Sequence, residues 1–108
     1  MTNSNAKGKR GEREAAQLLR DLFGVEARRS QQYCGQAGDA DLQTDTGIHF
    51  EVKRVERLNL YEAARQAESD SGGAPWVILH KRNRKPWVAI LEPERLVEIA
   101  GRLAGERD

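Results

Sequence analysis

The chain of 108 residues is long enough for one domain built around a single core. Charged residues make up 32% of the chain and its mean hydropathy is −0.77, so a membrane span is excluded. The only cysteine, Cys34, excludes an internal disulfide and a metal site made of several cysteines. We therefore expect a cytoplasmic protein without a secretory signal, which would hold any metal mainly through oxygen ligands.

Residues 1–7 are predicted to be a disordered tail, and a single domain is then predicted over residues 8–108. Apolar residues at helical spacing predict a helix over residues 9–23, which Gly24 ends. Three strands are expected next, at residues 25–29, 41–44 and 48–52. They are joined by a polar loop over residues 30–38 and by a hairpin turn at residues 45–47.

The second half of the chain predicts a helix, two strands and a last helix. The predicted ranges are residues 60–69, 75–79 and 87–91, with the last helix starting near Pro93. Trp76 and Trp87 are expected to pack in the core across the last two strands. The order of elements indicates an α/β fold in which helices flank a central mixed β-sheet.

Basic residues occur in clusters, although the net charge is only +1. The clusters are Lys7, Lys9 and Arg10; Arg28 and Arg29; Lys53, Arg54 and Arg57; and Lys81, Arg82, Arg84 and Lys85. Together they indicate a cationic face suited to the phosphates of nucleic acids. For any single cluster, a solvated charged surface is the competing interpretation.

The predicted hairpin carries the residues that are most suited to catalysis. Because side chains alternate along a strand, Glu51 and Lys53 point to one side and Val52 to the other. The turn folds Asp41 back opposite Glu51, so two carboxylates and an ammonium group converge. Nearby carboxylates repel each other unless a cation lies between them, which favours a hard ion such as Mg²⁺ with the Val52 carbonyl as a further ligand. The competing interpretation is an ordinary ion pair at the edge of the sheet.

A family resemblance adds to this hypothesis. Asp41 followed by Glu51-Val52-Lys53 resembles the PD-(D/E)xK nuclease signature, with Ala40 where that pattern often has proline. The stretch Gly8-Lys9-Arg10-Gly11-Glu12-Arg13-Glu14 resembles the first helix of archaeal-type Holliday-junction resolvases. Small phage-encoded nucleases are similar in Gln32-Tyr33-Cys34-Gly35-Gln36 and Glu51-Val52-Lys53-Arg54. The resemblance implies a restriction-endonuclease-like core of αβββαβ(β) order.

The resemblance also implies a set of site residues. Glu12, with Glu14 as the alternative, would join Asp41 and Glu51 in holding Mg²⁺, for which Mn²⁺ would substitute. Lys53 would orient the attacking water and offset charge on the phosphorane. Gln66 would touch that water or the phosphate, or else be a solvent-facing helix residue. Expected DNA contacts are Lys9, Arg10, Arg29, Ser30, Gln32, Gln36, Arg54, Arg57, Lys81, Arg82, Arg84 and Lys85.

The sequence leaves three functions open. The first is a homodimeric endonuclease acting on branched DNA during recombination, in a bacterial cell or a phage-infected host. The second is a nuclease with another DNA target, such as a nicking, repair or restriction-like enzyme. The third is a nucleic-acid-binding module that has kept the fold and lost catalysis, which the intact acids and lysine disfavour. His49 and His80 are expected to be strand residues rather than ligands or bases.

Overall fold

The computed structural model describes residues 4–30 and 40–105, with residues 4–7 described by their backbone alone. In chain order the elements are α1 (Ser4–Phe23), β1 (Ala27–Arg29), β2 (Leu42–Thr44), β3 (His49–Lys53), α2 (Leu60–Asp70), β4 (Trp76–His80), β5 (Val88–Ile90), a 3-10 turn (Pro93–Arg95) and α3 (Leu96–Leu103). This order confirms the predicted α/β class with a mixed sheet.

The two ends of the described chain differ from the prediction. α1 begins at Ser4, so part of the tail predicted over residues 1–7 is helical. Residues 4–7 contain neither glycine nor proline, and extending an existing helix costs far less than nucleating one. The predicted last helix is divided, because Pro93 starts a 3-10 turn and regular α-helix begins only at Leu96. The end of α1 is confirmed: Gly24 has a φ of 68° and its N–H donates to the carbonyl of Arg20 at 3.0 Å.

The sheet has the strand order β1-β2-β3-β4-β5. β2 is antiparallel to both of its neighbours, β1 and β3, whereas β3 and β4 are parallel because α2 carries the chain back between them. In the β2–β3 turn, Gly47 has a φ of 76° and the Thr46 hydroxyl accepts the N–H of Ile48 at 3.1 Å. This turn sets the register that places Leu42 opposite Phe50.

Apolar side chains cover both faces of the sheet. On the face covered by α1, Leu19, Leu42 and Phe50 are almost completely buried. On the opposite face, Ala67 of α2 packs with Ile78 of β4, and both are completely buried. β4 is therefore apolar on both sides, as expected for a central strand with a parallel neighbour.

Both tryptophans pack against the core, but on opposite faces of the sheet rather than together across the last two strands. Trp76 is buried beneath α2, and its Nε1–H donates to Oε2 of Glu68 at 2.7 Å. Trp87 is partly buried against the core on the α1 side. Within the described residues, every helix is too short or too polar to cross a membrane.

Candidate functional site

The β2–β3 hairpin brings Asp41 close to Glu51. Asp41 directly precedes β2, and its N–H donates to the carbonyl of Phe50 at 3.0 Å. Leu42, the next residue, pairs with Phe50, so Asp41 lies beside the Phe50–Glu51 segment of β3. The Asp41 side chain also accepts the N–H of Val52 at 2.7 Å on Oδ2, which fixes the carboxyl group at the end of the hairpin.

The electrostatics of Asp41 reveal which groups surround it. The pKa of its carboxyl is raised from 3.8 to about 6, and burial is the largest cause. The charges of Glu51 and Glu12 also raise this pKa, whereas the Val52 hydrogen bond and the Lys53 ammonium lower it. Glu51, Glu12 and Lys53 therefore lie within electrostatic reach of Asp41.

Glu51 is held by a residue to which the sequence analysis gave no role in the site. Its Oε2 lies 2.6 Å from Nε2 of His49, and both residues are buried. His49 and Glu51 are two residues apart on β3, so they share a face of the sheet, as Glu51 and Lys53 do. The alternation His49, Glu51, Lys53 was the signal in the sequence that could have identified this pair.

Glu12 of α1 also lies within electrostatic reach of Asp41. Its Oε1 accepts from Nε of Arg29 at 2.8 Å, and both side chains are partly buried. Glu14 is exposed, so of the two acids proposed for this helix only Glu12 is turned toward Asp41. Helical geometry explains the difference, because residues two apart point to different sides of a helix.

Each carboxylate of the predicted ligand set is bonded to its own protein partner. Glu12 pairs with Arg29, Asp41 with the Val52 N–H, and Glu51 with His49. In the part of the chain that the structure describes, no three His, Cys, Asp or Glu side chains form a ready-made metal cluster.

The residues nevertheless suit a hard divalent cation by their chemistry. Glu12, Asp41 and Glu51 supply carboxylate oxygens, which are the donors that Mg²⁺ and Mn²⁺ prefer. The repulsion of Asp41 by the two glutamates is the kind that a cation between them would relieve. Val52 contacts Asp41 through its backbone N–H. A role for its carbonyl as a metal ligand stays a prediction.

The Arg54 side chain is mostly buried and contacts other residues of the protein rather than extending into solvent. Its guanidinium donates to Oδ1 of Asn83 at 2.9 Å and lies 3.8 Å from Oε2 of Glu56. A Cβ added to Gly11 would lie 2.7 Å from Cβ of Arg54, so α1 and the segment after β3 are closely packed. Arg54 therefore fixes the turn between β4 and β5 next to the site.

The remaining predicted contacts fall into three groups. The exposed residues are Lys9, Arg10, Arg57, Gln66, Arg82, Arg84 and Lys85, while Lys81 is partly buried. The N–H of Ser30, which is nearly buried, donates to the carbonyl of Asp41 at 3.0 Å and so ties the predicted loop to the site. Gln32 and Gln36, like Cys34, lie outside the described residues.

The fold and site together define an α/β protein with a mixed sheet, in which Asp41 lies within electrostatic reach of Glu12, Glu51 and Lys53. No model of a known protein family matches the chain, and comparisons with curated proteins and with solved structures give no match either.

Proposed function

We propose that this protein is a Mg²⁺-dependent DNA endonuclease with a restriction-endonuclease-like core. The observation that carries the proposal is that Asp41, whose carboxyl is fixed by the Val52 N–H, lies within electrostatic reach of Glu51, Glu12 and Lys53. Two carboxylates on a hairpin and one on a helix form an acidic site, and a lysine on the same strand supplies a positive charge beside it. A strand order in which β4 returns parallel to β3 after three antiparallel strands is compatible with the proposed core.

Each candidate residue would have a separate role in phosphodiester hydrolysis. When bound, a divalent cation supplies Lewis-acid activation of water and neutralises charge on the phosphate. Glu12, Asp41 and Glu51 would hold it, and their fixed positions on α1 and the hairpin set where the scissile phosphate lies. The Lys53 ammonium would stabilise charge that develops on the phosphate oxygens. Gln66 is proposed to contact the phosphate from α2, where it is exposed.

The β4–β5 turn supports DNA as the substrate. Its first residue, Lys81, donates its N–H to the carbonyl of Lys53 at 3.2 Å, so the turn begins directly beside the site. Arg82, Arg84 and Lys85 are exposed on this turn, and Arg54 anchors it from below. A basic turn next to the acidic site would bind phosphates that flank the cleaved bond.

Branched DNA is the proposed target, and a homodimer in a bacterial or phage-infected cytoplasm the proposed working form. Two symmetric nicks in a four-way junction require two active sites related by a two-fold axis. A single domain of 108 residues carries one such site. A nuclease with a different DNA target would have the same chemistry and differ only in substrate choice.

The decisive experiment offers the protein several DNA structures with Mg²⁺. Labelled four-way junction, flap, single-stranded and linear duplex DNA are compared, and paired symmetric nicks in the junction alone are expected. Asp41→Asn and Lys53→Ala are expected to lower cleavage at least about 100-fold while leaving DNA binding largely intact. Glu94→Gln, which neutralises an exposed acid outside the site, is the matched control.

Each outcome of that experiment has a defined meaning. Cleavage of another structure in preference to the junction would replace the proposed target and keep the enzyme. Full activity of Lys53→Ala would overturn the mechanism. DNA binding without cleavage in the presence of any metal tested would show that the protein is a DNA-binding module and not a nuclease.

A further inference from the structure

The buried contact between His49 and Glu51 is unusual for the interior of a sheet. His49 lies opposite Trp76 and Glu51 opposite Ile78 in the parallel ladder between β3 and β4. Both neighbours are almost completely buried and belong to the core beneath α2. An ionisable pair therefore occupies a position where apolar side chains would fit.

Stability does not account for this pair. Removing two polar groups from water is costly, and apolar residues of similar size are often equally or more stable at such positions. The His49 backbone is already fixed, because its N–H donates to the carbonyl of Pro75 at 2.8 Å. The strand is thus held by its backbone hydrogen bonds, and the side-chain contact serves to orient Glu51.

We propose that His49 is a positioning residue for Glu51, an inference that rests on the proposed function. Nε2–H of His49 donates to Oε2 of Glu51, which holds the carboxylate in one rotamer and leaves Oε1 to face the cation. A carboxylate that binds a metal commonly receives such a hydrogen bond on its other oxygen, and losing it typically weakens metal binding about 10–100-fold. His49 itself contacts neither the metal nor the substrate in this role.

The test measures metal binding without DNA, so that it does not depend on cleavage. Mn²⁺ affinity is determined by electron paramagnetic resonance for the wild-type protein, His49→Gln and His49→Met. Glutamine and methionine have similar length, but only the glutamine amide can donate to Oε2. We expect about 10–100-fold weaker Mn²⁺ binding for His49→Met, with most of the loss recovered in His49→Gln.

His80→Met is the matched control. Its Nε2 contacts the carbonyl of Val55 at 3.0 Å, so this histidine is bonded to the backbone and not to a predicted ligand. Thermal melting of every variant separates a loss of folding from a loss of metal binding. We expect the control to keep the wild-type Mn²⁺ affinity.

A second measurement needs no variant and covers the case in which His49→Met does not fold. The ring nitrogens of ¹⁵N-labelled histidine are followed by NMR while Mg²⁺ is added, and the Nε2–H donation is expected to persist in the loaded protein. Loss of that donation on Mg²⁺ addition, or a folded His49→Met with wild-type Mn²⁺ affinity, overturns the positioning role alone. Failure of the wild-type protein to bind Mn²⁺ overturns the proposed metal site and this role together.

Discussion

Replacing Asp41 with asparagine is expected to stabilise the metal-free protein at neutral pH while removing its proposed activity. Burial and the neighbouring charges of Glu51 and Glu12 disfavour the ionised carboxylate, which raises its pKa to about 6. Asparagine is uncharged, and its Oδ1 can still accept the Val52 N–H that Asp41 accepts at 2.7 Å. The substitution therefore removes the repulsion and keeps the hydrogen bond. A site strained for function is a recurrent source of such stabilising substitutions.

The magnitude and its pH dependence follow from linkage. A rise in pKa from 3.8 in the unfolded chain to about 6 in the folded protein corresponds to about 3 kcal/mol. The unfolded chain loses its Asp41 proton first as pH rises, so the wild-type protein loses stability between about pH 4 and pH 6 and the loss then levels off. The advantage of Asp41→Asn should thus be below about 1 kcal/mol near pH 4 and approach, at most, about 3 kcal/mol above pH 7.

Urea denaturation in the presence of a chelator, repeated from pH 4 to pH 8, measures this difference in the free energy of unfolding. Glu94→Gln controls for the loss of one negative charge at an exposed position. Adding Mg²⁺ at pH 7.5 should reduce the advantage, because the cation binds the folded wild-type protein more tightly than the variant. An advantage that stays constant across the pH range, or a variant less stable than the wild type at pH 8, would refute the electrostatic reasoning.

Two further predictions concern the surroundings of the site. Arg29→Gln is expected to tighten Mn²⁺ binding several-fold, because it removes the positive charge paired with Glu12, a predicted metal ligand. Isothermal titration calorimetry measures the affinity, and Arg28→Gln, at an exposed position, is the control. Unchanged affinity in both variants would show that the Arg29 charge does not compete with the metal. Gly11→Ala is expected to cost about 1–3 kcal/mol of stability, because its Cβ would lie 2.7 Å from Cβ of Arg54. At Gly8, on the same helix, an added Cβ would meet nothing within 4 Å, so Gly8→Ala should be neutral or stabilising by up to about 1 kcal/mol. Thermal unfolding measures both variants, and equal effects of the two would contradict the packing argument.

The sequence predicted the hairpin and the proximity of its three candidate side chains because their arrangement is local. Strand alternation places Glu51 and Lys53 on one side, and a short turn ending at Gly47 brings Asp41 back beside their strand. Both rules act over a few residues, so they can be read without knowing the rest of the fold. The order of helices and strands was predictable for the same reason, since each element has its own hydrophobic period.

The sequence by itself therefore determined the element order and the Asp41, Glu51 and Lys53 group, whereas the tertiary structure decided what surrounds that group. The packing of α1 against the sheet turns Glu12 toward Asp41 and pairs it with Arg29. The contact between His49 and Glu51 is buried because α2 covers that face of the sheet. Contacts between distant segments depend on how the elements dock, and no local pattern in the chain specifies that docking.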